Sequence, residues 1–455
     1  MKEIKDQWNK IVEITTDESG VLAGLRNTIF LDMNSSKENL IDKIKVVLKL
    51  LVLILKPGKK VVLPHNLNIA FYFSSGTSAM FGNLYPVLEK YGSDEVFIIR
   101  NKKVHSIDSK YSNFATVENI IFSCSFLSRW RLIETLKYYN ILVKNSVNNS
   151  LSTTIQKQRI KYCYLILLIL NTKSGFKKII ENSNIKVLIS TSDYFPFDFA
   201  IFNSARNCNI NTILIQHGII GTSYYPFTAE YFLVWGEYFK EQMLKIDPLL
   251  KDRIFAFGSP LMHSFLTLNN YDFNRRRVEV DNKLRFLILS DTQGSVVFRE
   301  IYEKYDKFLT TLDFELFEWK VKLHPAENIQ YYERLNLNDK LQILPKEKSL
   351  SDALSEADIV LTIWSTAAFE AMLMMKPVIV LDIHDSVYEY AWWPKVGGGM
   401  YLSSLHYGVN TLMNRDLTNT IVASQNNFIS KNVLMQSNPA NEISKFINRV
   451  IHEKI

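Results

Sequence analysis

The sequence predicts an α/β protein with two doubly wound parallel sheets, each covered by helices. Short apolar runs with the length of buried strands alternate with helical patterns along most of the chain. Many of these runs end in a loop of small or polar residues, as strands do at the ligand-binding edge of such sheets. The alternation stops at residues 267–281 and then restarts, which indicates two domains.

Length and composition agree with a globular protein of this class. The 455 residues are enough for two or three domains. Hydrophobic residues make up 47% and charged residues 22%, which excludes wholesale disorder. Three cysteines without a CxxC pair argue against a zinc site and a disulfide framework, and they fit a reducing cytoplasm. The N-terminal residues are charged, and no apolar run approaches the roughly 20 residues of a spanning helix.

The first predicted domain covers residues 61–275 and follows a helical extension at residues 1–60. Within this domain, a basic and mostly helical insertion is predicted at about 104–180. The strands are predicted from apolar runs rich in β-branched and aromatic residues. They are Asn68–Phe73, Glu95–Arg100, Lys186–Ser190, Asn211–Gln216, Tyr231–Trp235 and Ile254–Phe257.

The second predicted domain covers residues 280–430, and a C-terminal helix is expected at residues 431–455. Two domains of this kind facing each other would form a cleft, the usual place for a ligand. Helices are predicted at Leu350–Ala357 and Ser365–Met375. The strands are predicted at Leu284–Ser290, Phe317–Leu323, Gln342–Leu344, Ile359–Ile363 and Val378–Leu381.

Positive charge is concentrated in one part of the first domain. The net charge of the chain is +7, yet residues 121–180 contain ten basic residues and a single acid, Glu134. Basic residues beside apolar and aromatic runs suit an anionic membrane surface or an anionic acceptor. The alternative is a solvated helical face beside a core helix. No nucleic-acid-binding motif accompanies the charge, so a nucleic-acid partner is not expected.

The most informative motif is the segment Ile359–Leu381, IVLTIWSTAAFEAMLMMKPVIVL. A buried strand runs into Ser365 and Thr366, which open a predicted helix. Free backbone amides at a helix N-terminus, together with two hydroxyls, suit a phosphate group. Glu370 lies one turn into this helix, within reach of the hydroxyls of a ribose whose phosphate is bound there. The simpler interpretation is that Ser365 only caps the helix.

A second motif, Lys322-Leu323-His324-Pro325, lies at the end of another predicted strand. The imidazole of His324 can donate a hydrogen bond to a phosphate oxygen, and Pro325 fixes the turn that follows. His324 precedes Ser365 by 41 residues, which places both in the same domain. Taken alone, a His-Pro pair is a weak signal.

A third motif, Ile213–Gly221 (ILIQHGIIG), places His217 directly after a strand of the first domain. The glycine after it allows a ligand to approach the backbone closely. Histidine has an ordinary pKa near 6.5, so His217 is a candidate general base or phosphate ligand. A structural histidine satisfied by its neighbours is the alternative.

Three further loops at strand ends carry weaker signals, because short polar loops are common. Asp193 follows a strand of the first domain and is a second candidate base. A loop of the first domain is a candidate acceptor contact, and a loop of the second domain is a candidate donor contact. The residues concerned are Ser75, Gly76 and Thr77 in the first domain and Thr292, Gln293 and Gly294 in the second.

Together these motifs resemble those of GT-B glycosyltransferases of bacterial capsule and surface-polysaccharide synthesis. The similarity is to Kdo and sialic acid transferases and to glycerophosphotransferases of teichoic-acid type polymers. It rests on a strand ending in QHG, a strand ending in KLHP and a helix opened by WSTAAFEA, and it covers about residues 185–385. The resemblance implies two Rossmann-like domains, an acceptor domain followed by a nucleotide-donor domain.

The resemblance also implies roles for individual residues. His324, Ser365 and Thr366 would hold the donor phosphate, with Lys322 and Pro325 beside them, and Glu370 would contact the ribose. The expected reaction moves a sugar from a nucleotide donor, with CMP or CDP favoured, to a growing glycan or lipid-linked acceptor. Neither a metal nor a cofactor is expected. The protein would be cytoplasmic and peripheral at the inner face of the cell membrane, bound through residues 121–180.

Two other functions stay open at this point. A sugar-nucleotide 2-epimerase of the same fold would use the same strand–serine–helix–glutamate arrangement but would need no membrane-facing basic helices. A non-catalytic polysaccharide-assembly protein would keep the fold and tolerate replacement of His217, His324 and Glu370.

Overall fold

The computed structural model contains two compact units. It describes residues 2–17, 20–33, 44–49, 61, 67–75, 77–101, 104, 107–121, 131–147, 151–181, 183–220, 225–269, 283–290, 299–324, 327, 329–334, 341–383, 391–402, 415–434 and 437–452. The N-terminal unit consists of Lys2–Leu261 together with Ser437–Ile455, and the C-terminal unit consists of Met262–Gln436. The chain therefore passes from the first unit into the second and returns.

The N-terminal unit contains a parallel sheet of seven strands in the order β3-β2-β1-β4-β5-β6-β7. All six strands predicted for this half are present, each within two residues of the expected ends. The additional strand, β3, forms one edge. The strands are β1 Ile69–Phe73, β2 Val96–Arg100, β3 Phe114–Thr116, β4 Val187–Ser190, β5 Asn211–Ile215, β6 Tyr231–Val234 and β7 Ile254–Ala256.

Helices cover this sheet, and those of the predicted extension and insertion form a core of their own. Side chains of α1, α2, α5 and α7 meet in a cluster that includes Ile11, Ile29, Tyr139 and Tyr162. Residues 44–49 are also helical. The helices are α1 Lys2–Ile14, α2 Arg26–Met33, α3 Ser78–Leu88, α4 Val117–Ile121, α5 Leu132–Ser146, α6 Ser152–Lys157, α7 Arg159–Ile180, α8 Pro196–Asn207 and α9 Glu237–Ile246, with 3-10 turns at Leu22–Leu25 and Pro248–Arg253. The next helix, α10 Pro260–Asn269, begins at the end of this unit, and most of its residues belong to the C-terminal unit.

The C-terminal helix of the chain, which we number α16 (Pro439–His452), completes the main core of the N-terminal unit. Phe446 packs against Tyr231 of β6 and Phe255 of β7, with ring centroids 5.4 and 4.8 Å apart. Ile443 and Ile447 are fully buried in the same cluster. The C-terminal helix predicted at 431–455 thus runs over 439–452, and it packs on the first sheet although it follows the second in sequence.

The C-terminal unit contains a parallel sheet of six strands in the order β10-β9-β8-β11-β12-β13. All five predicted strands are present, and β13 was not predicted. The strands are β8 Leu284–Leu289, β9 Phe317–Lys322, β10 Gln342–Ile343, β11 Ile359–Thr362, β12 Val378–Leu381 and β13 Met400–Leu402. Its helices are α11 Arg299–Thr310, α12 Gln330–Arg334, α13 Leu350–Ser355, α14 Ala367–Leu373 and α15 Arg415–Ile429, with a 3-10 turn at Trp393–Val396 and a π-turn at Ser430–Leu434.

Each sheet reverses its strand order once. In the N-terminal unit the chain builds outwards from β1 to β3 on one side and from β4 to β7 on the other. In the C-terminal unit the same reversal lies between β8 and β11. In open parallel sheets this switch point is where loops diverge and ligands bind. No helix of the described residues is long and apolar enough to cross a bilayer.

Candidate functional site

The loop after β11 lies at the switch point of the C-terminal unit and carries the hydroxyl pair. The backbone N–H of Ser365 donates to Thr362 Oγ1 at 2.9 Å, and the N–H of Ala367 donates to Ser365 Oγ at 3.4 Å. Helix α14 begins at Ala367, so the predicted start at Ser365 was wrong by two residues. Ser365 and Thr366 form the turn before the helix and are partly exposed. Their hydroxyls are therefore accessible to a ligand at this edge.

Glu370 lies in the first turn of α14, and the pKa of its carboxyl is strongly shifted. Burial raises its pKa from 4.5 to about 7. Its Oε2 atom is buried and has no hydrogen-bond partner among the described residues. A buried acceptor without a donor is costly to the folded state, and Glu370 as a whole is partly exposed. Sugar hydroxyls are donors that suit such an acceptor.

The loop after β9 is held by the buried carboxyl of Glu327, which was not predicted from the sequence. The backbone N–H of His324 donates to Ser290 Oγ and to Glu327 Oε2, both at 2.9 Å. The hydroxyl of Ser290, at the end of β8, donates to the same Glu327 oxygen. The turn that carries His324 is thereby held against the neighbouring strand.

The His324 side chain is partly buried, and burial lowers its pKa. The imidazole is therefore neutral at neutral pH and can donate one N–H to a phosphate oxygen. His324 follows β9, and Ser365 follows β11, with β8 between them. Adjacent strands lie about 4.8 Å apart, so the two loops are separated by about 10 Å along one edge. Pro325 and the loop residues Thr292, Gln293 and Gly294 lie outside the described residues.

Lys322 occupies a supporting position in the same unit. Its ammonium group donates to the backbone carbonyls of Pro345 and Lys346 at 3.3 and 3.1 Å. Lys346 in turn donates to the carbonyl of Glu327 at 2.7 Å. The predicted donor contact at Lys322 thus lies in a chain of bonds that ties the segment after β10 to the His324 turn.

In the N-terminal unit, the loop after β1 carries the predicted acceptor residues Ser75 and Thr77. The backbone N–H of Thr77 donates to Ser75 Oγ at 3.2 Å, and α3 begins at the next residue. Ser75 is partly exposed and Thr77 is exposed. Gly76 lies outside the described residues. This loop is at the switch point, because β1 and β4 are neighbours.

Asp193, after β4, is buried and holds another part of the backbone. Its Oδ2 accepts N–H groups of Thr228 and Ala229, the second at 3.3 Å. Burial raises its pKa from 3.8 to about 6, and the two hydrogen bonds and Arg26 oppose that rise. The carboxyl predicted as a candidate base is therefore also the anchor of the segment before β6.

His217, after β5, lies next to the β4 loop. Its Nε2 is 3.4 Å from the hydroxyl of Tyr194, and it also bonds to the backbone of Thr191. Burial lowers its pKa from 6.5 to about 4, so the imidazole is neutral at neutral pH. The structure thus brings the Asp193 loop and His217 together at one edge of the sheet.

A further buried carboxyl supports this loop and was not predicted. Asp198, in the first turn of α8, accepts a hydrogen bond from the hydroxyl of Tyr72 at 2.5 Å and another from Ser192. Burial raises its pKa to about 7. Tyr72 is on β1 and Ser192 follows β4, so Asp198 links the two strands of the switch point.

Comparisons with known proteins indicate the fold. No protein-family model matches the sequence, and no curated protein sequence matches it. A putative UDP-N-acetylglucosamine 2-epimerase from Listeria monocytogenes is similar in structure, with 13% identity, a TM-score of 0.51, and coverage of 86% of this chain and 98% of that chain. The S. aureus MnaA–UDP structure is similar with 12% identity, a TM-score of 0.50, and coverage of 86% and 99%. MurG from Acinetobacter baumannii aligns with 11% identity, a TM-score of 0.49, and coverage of 84% and 99%.

The first two of these structures each cover 86% of this chain. At this level of identity the similarity concerns the fold, and it agrees with the strand orders given above. The chain has the GT-B fold, an α/β architecture with two Rossmann-like domains.

Proposed function

We propose that the protein is a glycosyltransferase that takes a sugar from a nucleotide donor and transfers it to a glycan or lipid-linked acceptor. The observation that carries the proposal is Glu370, a buried carboxyl with an unsatisfied oxygen and a pKa of about 7. It lies just after the hydroxyl pair Ser365 and Thr366, at the switch point of its sheet. These groups suit a ribose attached to a phosphate.

The chemistry required of the C-terminal unit is stabilisation of a departing nucleotide. Negative charge grows on the donor phosphate as the bond to the sugar breaks. Hydroxyl and imidazole donors at fixed positions stabilise that charge, and they do so more strongly in a site from which water is excluded. Ser365, Thr366 and His324 would supply these donors, and Glu327 would keep the His324 turn in place. The proposed reaction needs no metal.

The N-terminal unit would bind the acceptor and supply the base. Transfer requires removal of a proton from the acceptor hydroxyl, and a base works best with a pKa near the working pH. The pKa of Asp193 is about 6 and that of His217 is about 4, so the pKa of Asp193 is closer to a neutral working pH and favours it as the base. Asp193 Oδ2 already accepts two backbone N–H groups, and His217 Nε2 lies 3.4 Å from the Tyr194 hydroxyl. Both residues stay candidates.

The alternative that the structural similarity favours is a sugar-nucleotide 2-epimerase. The Listeria protein is described as a putative epimerase of UDP-N-acetylglucosamine, and MnaA was solved with UDP. An epimerase would use the same phosphate and ribose contacts but would have no acceptor. The non-catalytic alternative would bind neither nucleotide nor acceptor through these residues.

We further propose that the protein contacts anionic lipid through α5. Leu132, Ile133 and Leu136 are exposed on this helix, and Ile133 is 88% exposed. The surrounding sequence at 121–180 is strongly basic. Exposed apolar side chains among basic residues suit an anionic membrane surface. Lys177, at the end of α7, pairs with Glu181 at 3.5 Å. The exposed apolar side chains of α5 are therefore a stronger candidate for the lipid contact than Lys177.

The proposal is tested first by thermal unfolding with CMP, CDP, UDP and GDP, side by side. A ligand at 100 times its Kd stabilises the folded state by about 2.7 kcal/mol. We expect one nucleotide to raise the Tm of the wild type and to have much less effect on Glu370→Ala. Glu303→Gln, an exposed carboxyl of α11, is the matched control. No shift with any nucleotide would refute both enzymatic proposals.

Product analysis then separates the two enzymes. A transferase releases free nucleotide and lengthens the acceptor by one sugar. A 2-epimerase leaves the mass of the sugar nucleotide unchanged and inverts one carbon, which proton NMR detects. Epimerisation of the sugar nucleotide without release of free nucleotide would contradict the transferase proposal.

A further inference from the structure

A chain of hydrogen bonds connects the carboxyl of Asp198 to the imidazole of His217 in the N-terminal unit. The hydroxyl of Ser192 donates to Asp198 Oδ2. The hydroxyl of Tyr194 is hydrogen bonded to the side chain of Ser192 and lies 3.4 Å from His217 Nε2. Ser192 is fully buried, Asp198 is 2% exposed and His217 is 9% exposed. Two side-chain hydroxyls therefore join a buried carboxyl to a candidate base.

The carboxyl end of this chain is fixed by the two strands of the switch point. Tyr72 on β1 donates to Asp198 Oδ1 at 2.5 Å. The backbone N–H of Ser192 donates to Ser190 Oγ at 3.3 Å, and Ser190 Oγ donates to the carbonyl of Tyr72 at 2.7 Å. Because these groups are held in place, a change in the protonation of Asp198 alters which atom donates rather than where the atoms lie.

Each hydroxyl in the chain carries one proton, so the chain has a direction. An ionised Asp198 accepts the proton of Ser192, and Ser192 then accepts from Tyr194. The tyrosine oxygen is left with its lone pairs toward His217, which favours a proton on Nε2. A protonated Asp198 donates to Ser192 instead and reverses the chain, so that Tyr194 donates to an Nε2 without a proton. The two directions therefore favour different tautomers of His217.

The ring of His217 has a second partner, which makes its tautomer sensitive to the chain. Burial lowers the pKa of His217 to about 4, so the imidazole is neutral at neutral pH and has one N–H. The backbone of Thr191 is hydrogen bonded to the same ring. The position of the ring proton therefore depends on whether Tyr194 acts as an acceptor or as a donor. In a buried network such an influence is stronger than in water.

We infer that Asp198 determines, through the two hydroxyls of this chain, which ring nitrogen of His217 carries the proton. Asp198 is thus a positioning residue, because it acts through other residues. When Nε2 is protonated, the other ring nitrogen has the lone pair that can take a proton from an acceptor hydroxyl. That consequence for catalysis rests on the proposed transferase function, whereas control of the ring proton does not.

The surroundings of Asp198 set the pH at which the chain reverses. Burial, and then the charge of Asp193, raises the pKa of Asp198 to about 7. Three hydrogen bonds oppose this rise, from Ser192, Tyr72 and the backbone of Phe195. Both tyrosine hydroxyls in contact with the network also have raised pKa values, so neither ionises in this range. The chain should therefore favour a protonated Nε2 above about pH 7 and an unprotonated Nε2 below it.

The test is ¹⁵N NMR of the full chain, labelled at its eight histidines. The nitrogen shift separates a protonated from an unprotonated ring nitrogen, and His217→Gln assigns the signal. From about pH 5.5 to about pH 8.5 we expect the Nε2-protonated tautomer to gain about fivefold over the other, the value of one ordinary hydrogen bond. Asp198→Asn and Tyr194→Phe should each abolish this change. Tyr238→Phe, on α9, removes a hydroxyl outside the chain and is the matched control.

Tyr194→Phe separates the chain of hydrogen bonds from a direct effect of charge. It keeps the carboxyls of Asp198 and Asp193, which both titrate in this range, and removes the hydroxyl that reaches His217. It also serves if Asp198→Asn fails to fold. Three results would overturn the inference: a tautomer ratio that does not change with pH in the wild type, a change that persists in Tyr194→Phe, or one that persists in Asp198→Asn.

Activity gives a second readout for the catalytic consequence. The wild-type rate should rise with pH through an inflection near pH 7, and Asp198→Asn should lack that inflection. An inflection that persists in Asp198→Asn would overturn this consequence. The NMR measurement needs neither nucleotide nor acceptor. If the ring proton responds as expected while no nucleotide raises the Tm, the proposed function is refuted and the control of His217 by Asp198 is supported.

Discussion

Replacing Glu370 by glutamine removes one charge from the C-terminal site with almost no change in volume. Burial raises the pKa of this carboxyl from 4.5 to about 7. Each pKa unit corresponds to about 1.36 kcal/mol, so the ionised carboxylate costs the folded state about 3 kcal/mol. In the nucleotide complex, ribose hydroxyls would donate hydrogen bonds to this carboxylate and offset part of that free-energy cost. The substitution should therefore raise stability and weaken nucleotide binding.

The sign of the pH dependence follows from proton counts. Between pH 4.5 and about 7 the folded state holds a proton on Glu370 that the unfolded state has lost. The free energy of unfolding from this group therefore falls as the pH rises through that window, and the full penalty applies above it. Glu370→Gln should match the wild type at about pH 4.5 and exceed it by up to about 3 kcal/mol at about pH 8.

Urea denaturation at both pH values measures the stability, and calorimetric titration measures nucleotide affinity. A hydrogen bond to a charged group is worth about 1.5–3 kcal/mol, so we expect affinity to fall about tenfold or more. Equal stability of the two proteins at the higher pH would refute the burial penalty. Higher stability with unchanged affinity would refute the ribose contact.

Three further substitutions test the other contacts. We expect His324→Ala to weaken nucleotide binding about fivefold to tenfold in a calorimetric titration, because the neutral imidazole that donates to the phosphate is lost. An unchanged Kd would contradict a contact between His324 and the nucleotide. Asp193→Asn should keep the hydrogen bonds from the backbone N–H groups to this side chain and remove an inflection of the activity near pH 6. A rate below about a hundredth of the wild type would instead identify Asp193 as the base. The double variant Ile133→Ser, Leu136→Ser should co-sediment less with vesicles that contain anionic lipid, whereas the control Lys177→Ala should co-sediment as the wild type does. If the double variant binds the vesicles as fully as the wild type, the proposed lipid contact of α5 is wrong.

The central strands were predictable because they are short, apolar and buried on both faces. Every residue of β1, β4, β11 and β12 is buried, and such runs stand out in a sequence. The edge strands β3 and β13 were missed. Each has three residues and only one that is buried, so neither has the continuous apolar pattern of a central strand.

Part of the site was predictable for the same reason. A polar residue directly after a buried parallel strand lies at the ligand-binding edge, which placed His217, His324 and Ser365. The supporting carboxyls were not visible in the sequence. Asp198 meets Tyr72 across 126 residues, and Glu327 meets Ser290 across 37. The hydrogen bond from Trp8 to the carbonyl of Tyr225 spans 217 residues, which no local pattern encodes.

The position of α16 has a consequence for how the protein is made. Its residues 439–452 fill the core between α3 and the strands of the first sheet, yet 175 residues separate them from the rest of that unit. A ribosome synthesising the chain must therefore complete the whole C-terminal unit before the core of the N-terminal unit can close. Domains usually fold in the order of synthesis. Here the C-terminal unit can fold first, while the N-terminal unit keeps an apolar face exposed until α16 has been synthesised.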